Sequence, residues 1–292
     1  MNNRFTTVVV LFFLSLFVSK LYAEKFFVCV SIPPQKELVS RIAGDEVEVF
    51  VLLPAGKSPE TFVPTPGDLA KIAKARVLVT IGVPFEETLL PSLTSIGRNL
   101  VHVNTAKKID RKPIERHTTS RQISDHPDPH IWLSPALLKK QAALIASSLA
   151  DIAPDRAELY SHNLALFNEE LEALKEEIES MLAEHKGKSF YVFHPSFGYF
   201  ADEFGLVQIP IETGGKTPNP KDLAILTKAA KRDMIKTVFV QPQFDPRAAG
   251  IIADATGADL EVLDPLSEHL FKNLEDIARK IAKSFERDAQ NE

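Results

Sequence analysis

The chain has 292 residues, 45 % hydrophobic and 25 % charged, and its 34 Lys+Arg against 39 Asp+Glu give a net charge of −5. That composition excludes a disordered or fibrous chain. The mild negative charge offers no electrostatic footing for nucleic acid, and the length suits two domains.

Residues 1–23 read as an export signal and not as part of the fold. Arg4 supplies the positive start, Val8–Val18 is apolar except for Ser15, and Leu21-Tyr22-Ala23 offers a cleavage end. An apolar run of about 11 residues is shorter than the roughly 20 that a membrane span needs. Cleavage near Ala23, a periplasmic location and no stable membrane insertion afterwards are the expectation. Cys29 is the one cysteine, so no intramolecular disulfide and no cysteine-based metal cluster can form within one chain. It lies beyond the signal in a buried-strand pattern, Phe26–Ile32, without the small residues of a lipoprotein cleavage box before it. A buried structural thiol is predicted.

Short β-rich runs then alternate with helical ones, which predicts an α/β fold with mainly parallel strands. The first half offers Phe26–Ile32, Val47–Leu53, Val77–Ile81 and Leu100–Val103. The second offers Phe190–Phe193, Val207–Ile211, Thr237–Val240 and Leu260–Leu263. Four runs in each half predict two small (βα)4-like lobes. An internal echo points the same way: Pro64-Thr65-Pro66-Gly67-Asp68-Leu69-Ala70 and Pro218-Asn219-Pro220-Lys221-Asp222-Leu223-Ala224 each precede a strand. Both read as helix starts, with Thr65 or Asn219 as N-cap, proline at the first helical position and an acid in the first turn.

Between the halves, Pro154 to Gly187 carries Tyr160, Leu164, Phe167, Leu171, Leu174, Ile178 and Met181 at alternating spacings of four and three. That stripe predicts about 45 Å of helix, a rigid spine packed along both lobes; a self-associating coiled coil is the rival reading. The expected organisation is a signal over 1–23, an N-terminal lobe over 24–153, the connecting helix over 154–187 and a C-terminal lobe over 188–292. Leu270, Leu274, Ile277, Ile281 and Phe285 mark the core face of a final helix.

In open α/β sheets, ligands bind beyond the carboxyl ends of strands. The polar residues there are His194 after Phe190–Phe193, Gln241 after Thr237–Val240, Asp264 after Leu260–Leu263, and Glu60 in the segment after Val47–Leu53. Asp125–Pro135 adds His126, Asp128 and His130 just before a helix capped by Ser134. Two imidazoles and two carboxylates at comparable strand ends make a chemically sensible divalent-metal site. Taken singly, a structurally satisfied His194 or a helix-capping Asp264 is a better reading of each than a ligand.

These segments resemble the metal-binding solute receptors of zinc and manganese ABC importers. The resemblance spans nearly the whole chain after the signal. It rests on Gly56–Pro66, on Asp128-Pro129-His130-Ile131-Trp132-Leu133-Ser134-Pro135, on His194-Pro195-Ser196-Phe197-Gly198-Tyr199-Phe200, and on Leu263-Asp264-Pro265-Leu266. It implies metal bound between two lobes, with ligands at His130, His194 and Asp264. Histidine at the His194 position is the zinc type, where manganese receptors carry glutamate. The chain departs from the pattern at Glu60, where the first ligand is normally histidine, and at Gln241, where glutamate is common. A Glu60–His130–His194–Asp264 set has two nitrogens and two oxygens, and the Irving–Williams order favours Zn²⁺ over Mn²⁺ on such donors.

The expected function is capture of a divalent transition ion, Zn²⁺ with Mn²⁺ as the alternative, by a monomer that delivers it to an ABC transporter membrane permease. No chemical transformation is implied, and binding should weaken as the histidines protonate. The rival readings are a manganese or iron receptor of the same class, a secreted metal-dependent hydrolase, and an adhesin-like binding protein. The absence of His-Glu-x-x-His and Gly-x-Ser-x-Gly weighs against the hydrolase. His117 and His126 make any metal-capturing loop weak. His162 and His185 are expected in solvent, His102 and His269 have no evident partner, and Trp132, Phe197 and Tyr199 are expected to wall the cleft.

Overall fold

A computed structural model describes residues 25–93, 99–114, 127–212 and 218–289. Residues 1–23, the expected export signal, and His117 and His126 lie outside the described residues. The N-terminal lobe runs β1 (Phe26–Val30), α1 (Pro34–Ala43), β2 (Val47–Val51), α2 (Pro66–Ile72), β3 (Val77–Thr80), α3 (Pro84–Leu93) and β4 (Val101–Asn104). Two long helices follow, α4 (Pro135–Ile152) and α5 (Ala157–Leu182). The C-terminal lobe then runs β5 (Ser189–Val192), α6 (Gly198–Phe204), β6 (Val207–Pro210), α7 (Pro220–Arg232), β7 (Thr237–Val240), α8 (Arg247–Thr256) and β8 (Asp259–Val262), and the chain closes with α9 (Leu270–Ala289).

Both sheets are parallel and share one topology, β2-β1-β3-β4 and β6-β5-β7-β8. Every strand expected from the sequence is present, with ends within two residues. The inner strands β3 and β7 are buried along their whole length, which is why their sequences are apolar runs without alternation. The echoed helix starts behave alike. Thr65 Oγ1 accepts from Asp68 N in a full capping box, and Asn219 accepts from Lys221 N and Asp222 N, each with proline following. Two lobes of the same strand order, each with a proline-started helix before its third strand, fit duplication of one α/β unit.

The predicted spine is α5, extended at each end by a 3-10 turn, Pro154–Arg156 and Ala183–His185. Its stripe faces inward: Tyr160, Phe167, Leu171 and Ile178 are buried, and Leu164, Leu174 and Met181 pack against the same core. The partners are within the chain, since α1, α4 and α9 all pack on α5. One apolar core therefore runs from the N-terminal sheet through this helical layer to the inner face of the C-terminal lobe. A smaller cluster around Tyr191, Ile209, Val238 and Ile252 fills the outer face of that lobe.

Phe167 stands at the middle of the layer, its ring 5.3 Å from that of Phe271 at 77°. The Arg41 guanidinium lies 4.1 Å from the Phe271 ring and 5.7 Å from that of Phe167. Phe167→Ala is expected to cost about 3–5 kcal/mol, the range for truncating a buried aromatic, measured as a fall in the urea unfolding midpoint.

Two histidine expectations change. His185 is half-buried, its ring 5.2 Å from that of Phe285 and tilted 45°, and burial pulls its pKa down. The correction arises because α9, from the far end of the chain, packs over the end of α5. His102 has a partner after all, with Nε2 2.7 Å from Thr80 Oγ1 on the neighbouring strand. His162 is exposed as expected, and His269 is exposed as well.

Candidate metal centre

Strand order reverses between β1 and β3, and again between β5 and β7, which opens a crevice at the carboxyl edge of each sheet. All four strands of the C-terminal sheet deliver a polar side chain there: His194 after β5, Glu212 after β6, Gln241 and Gln243 after β7, and Asp264 after β8. The N-terminal lobe contributes Glu60 from the β2–α2 segment and His130 from the turn that leads into α4.

Ligand atoms of Glu60, His130 and His194 lie within 4.8 Å of one another, close enough to share one ion. They line a cavity of about 10 Å³ together with Trp132, Ser196, Gln243 and Phe244. That is room for about one water-sized sphere. His130 and His194 stand with ring centroids 5.3 Å apart, and both are buried.

Each imidazole is fixed through its Nδ1. Asp128 Oδ1 lies 2.7 Å from His130 Nδ1 and also accepts from His130 N at 3.0 Å. Glu212 Oε1 lies 2.8 Å from His194 Nδ1. With Nδ1–H donated to a carboxylate, the Nε2 lone pair is left for a metal, the arrangement usual behind metal-bound histidine. His194 Nε2 is buried without a hydrogen-bond partner and 3.4 Å from Glu60 Oε1, longer than a good hydrogen bond. A buried polar atom left in this way calls for an ion or water.

The β2–α2 segment holds Glu60 by a short local turn. The Ser58 hydroxyl donates to the Glu60 carboxylate, and Glu60 N donates back to Ser58 Oγ at 3.2 Å. Burial alone would raise the Glu60 pKa, but the nearby imidazole and charge of His194, with help from the Ser58 hydroxyl, hold it at about 2. His194 moves the other way. Burial opposes its protonation, yet Glu212 and Glu60 on its two sides lift it to about 9.

Gln241 fixes the backbone of His194 from both sides: its Oε1 accepts from His194 N at 3.0 Å and its Nε2 donates to His194 O at 2.8 Å. The amide supplies both a donor and an acceptor, where an ionised glutamate here could only accept. The acid beside His194 is Glu212, a residue the sequence reading missed. The available signal was its place just past Val207–Ile211, at the same sheet edge as His194.

Asp264 stands outside the group of three. Its Oδ1 accepts from Gln243 Nε2 at 2.8 Å and from Leu266 N at 2.9 Å. Trp132 does line the cavity, 5.1 Å from the His130 ring, and its Nε1 donates to Pro265 O across the cleft. Phe197 and Tyr199 do not line it; both pack behind it in the core. The second aromatic wall is Phe244, stacked on His194 with centroids 4.5 Å apart and planes at 22°. It went unnoticed because it stands three residues past the strand-end Gln241.

Two parallel α/β lobes meeting on a buried imidazole–carboxylate cluster define a two-lobed solute-binding receptor. Comparison with known proteins makes the class specific. Residues 28–284 match the family model described as zinc-uptake complex component A, periplasmic (ZnuA), and the chain belongs to that family. It is 31 % identical over 263 residues to the high-affinity zinc uptake system protein ZnuA of Bacillus subtilis, covering 87 % of this chain and 82 % of that protein. It is also 30 % identical over 256 residues to a putative metal-binding protein of Chlamydia muridarum, covering 87 % and 90 %. A crystal structure of ZnuA superposes with a TM-score of 0.84 at 39 % identity, over 89 % of this chain and 99 % of that one. A zinc-bound ZnuA deletion mutant gives 0.83 at 39 %, over 89 % and 98 %. Among the described residues, no helix is long and apolar enough to cross a membrane.

Proposed function

We propose that this chain is the extracytoplasmic receptor of a zinc importer. It captures Zn²⁺ between its lobes and hands it to an ABC permease. The observation that carries this reading is the convergence of Glu60, His130 and His194, with both histidines held through Nδ1 and His194 Nε2 left without a partner. In this reading these three residues are ligands, and Asp264 completes the set from the end of β8 once its carboxylate turns from Gln243. Two nitrogens and two oxygens favour Zn²⁺ over Mn²⁺ by the Irving–Williams order, and the names of the relatives support the same ion. A shell closed by protein ligands leaves no position for an activated water, which accords with binding in place of catalysis.

Residues 1–23 act as the export signal, cut near Ala23, and the mature chain works as a monomer in the periplasm. The family's periplasmic description and the apolar run Val8–Val18 support this.

The test is elemental analysis with competitive titration of the purified chain. One Zn²⁺ per chain, held more tightly than Mn²⁺, is expected; a chain that retains neither metal refutes the proposal. Glu60 provides a second check. Glu60→Ala should weaken zinc binding by roughly 100-fold, about one ligand's share of a four-ligand site. Glu60→His should restore or strengthen it. Equal affinity in all three proteins would remove Glu60 from the ligand set.

A further inference from the structure

Asp128 and Lys112 face each other across the base of the segment that leads to His130. Asp128 N donates to Lys112 O at 2.7 Å, and the next residues, Pro113 and Pro127, form an isolated antiparallel bridge. In an antiparallel ladder such a facing pair exchanges two hydrogen bonds directly. Here the second is not direct. Lys112 N donates to the Tyr199 hydroxyl at 3.1 Å, and that hydroxyl donates to Asp128 O at 3.1 Å. The phenol oxygen is thus inserted into a two-residue ladder of the opposite lobe.

Tyr199 belongs to α6, which begins four residues after His194. The Lys112 side chain lies over the same ring, with Nζ 5.1 Å from its centroid, and pairs with Asp202 of α6 at 2.5 Å. The Lys112 chain passes close to the start of α6: a Cβ on Gly198 would sit 3.0 Å from Lys112 Nζ. Asp128 in turn grips His130 through both its backbone N–H and its Nδ1. Tyr199 is 8 % exposed and Asp128 1 %, so water does not readily replace the bridge.

We infer that Tyr199 is a positioning residue for the metal centre, its hydroxyl coupling the His130 turn of one lobe to α6, the helix that follows His194 in the other. The inference rests on the function proposed above and adds a residue that touches no ion. Without the hydroxyl, Lys112 N–H and Asp128 C=O must either close on each other, shifting Asp128, or lose a bond in a buried place. Either change frees the carboxylate that orients His130. Partners of this kind are worth 10–100-fold in metal affinity.

The experiment measures Zn²⁺ release to a chelator by stopped flow from the wild-type chain, Tyr199→Phe and Tyr191→Phe. The last removes a comparable hydroxyl, bonded to Asp233 at 2.7 Å on the outer side of the same lobe. Tyr199→Phe should release zinc roughly 10-fold faster and shift the His130 imidazole ¹⁵N resonances of the loaded protein. Tyr191→Phe should stay within about twofold of wild type, as expected of a hydroxyl outside the network that orients the ligands. Wild-type release from Tyr199→Phe, or equal acceleration in both variants, overturns the inference while leaving the proposed function standing. A wild-type chain that takes up no zinc removes both.

Discussion

Replacing His194 with alanine should lower zinc affinity by roughly 100-fold or more while leaving the chain folded. A four-ligand zinc site is worth about 10–16 kcal/mol, so one ligand accounts for roughly 2.5–4 kcal/mol, and each 1.4 kcal/mol is a factor of ten. His194 should sit at the upper end of that range. Its removal takes away the nitrogen and also leaves the buried carboxylate of Glu212, 3 % exposed, without its imidazole partner. Glu212→Gln separates the two effects. It keeps the nitrogen ligand but weakens its orientation, for an expected loss of 10–100-fold. Calorimetric titration with zinc checks both, and a His194→Ala chain that binds as tightly as wild type would exclude this histidine from the shell.

The pH dependence should be steep and opposite in sign for the loaded and metal-free protein. Without metal, His194 holds a proton between Glu60 and Glu212 up to about pH 9. Zinc must displace the Nε2 proton, so below that pH each unit of acidification should cost up to about tenfold in apparent affinity. Between pH 8 and pH 6 this one group accounts for roughly 100-fold. Glu60, at about 2, stays ionised throughout and adds nothing to the slope.

For folding, a raised histidine pKa contributes stability that is complete below the ordinary 6.5 and is lost as pH rises through about 9. The metal-free chain should therefore lose stability over that window while zinc binds more strongly. The gain in melting temperature on adding zinc should grow from pH 6 to pH 9, and a gain that does not change with pH would show that no proton is displaced from His194.

Much of this molecule could be read from local pattern, because the physics involved is local. Val77-Leu78-Val79-Thr80 announces a strand buried on both faces. Thr65 and Asn219 with the prolines after them announce helix starts, and the Tyr160–Met181 stripe announces a helix with one buried face. The convergence of Glu60, His130 and His194 was legible only in outline. Their positions at strand ends and turns made them candidates, and the family resemblance supplied the grouping.

What the tertiary structure decided depends on contacts between residues far apart in the chain. Glu212 behind His194, Phe244 against its ring, Gln241 on its backbone and Tyr199 between Lys112 and Asp128 each involve partners from different elements, and no periodicity or spacing encodes such pairings. The same holds for α9 folding back over α5 and burying His185. The sequence by itself determined which segments become strands and helices and which polar residues stand at the sheet edges, since hydrophobic period, capping and strand propensity act over a few residues. Nδ1 of His130 is held locally by Asp128, two residues before it. Only the folded chain decided that Glu212, from just past the strand beside β5, fixes Nδ1 of His194 and that Glu60, His130 and His194 face one cavity, because these contacts join residues far apart in sequence.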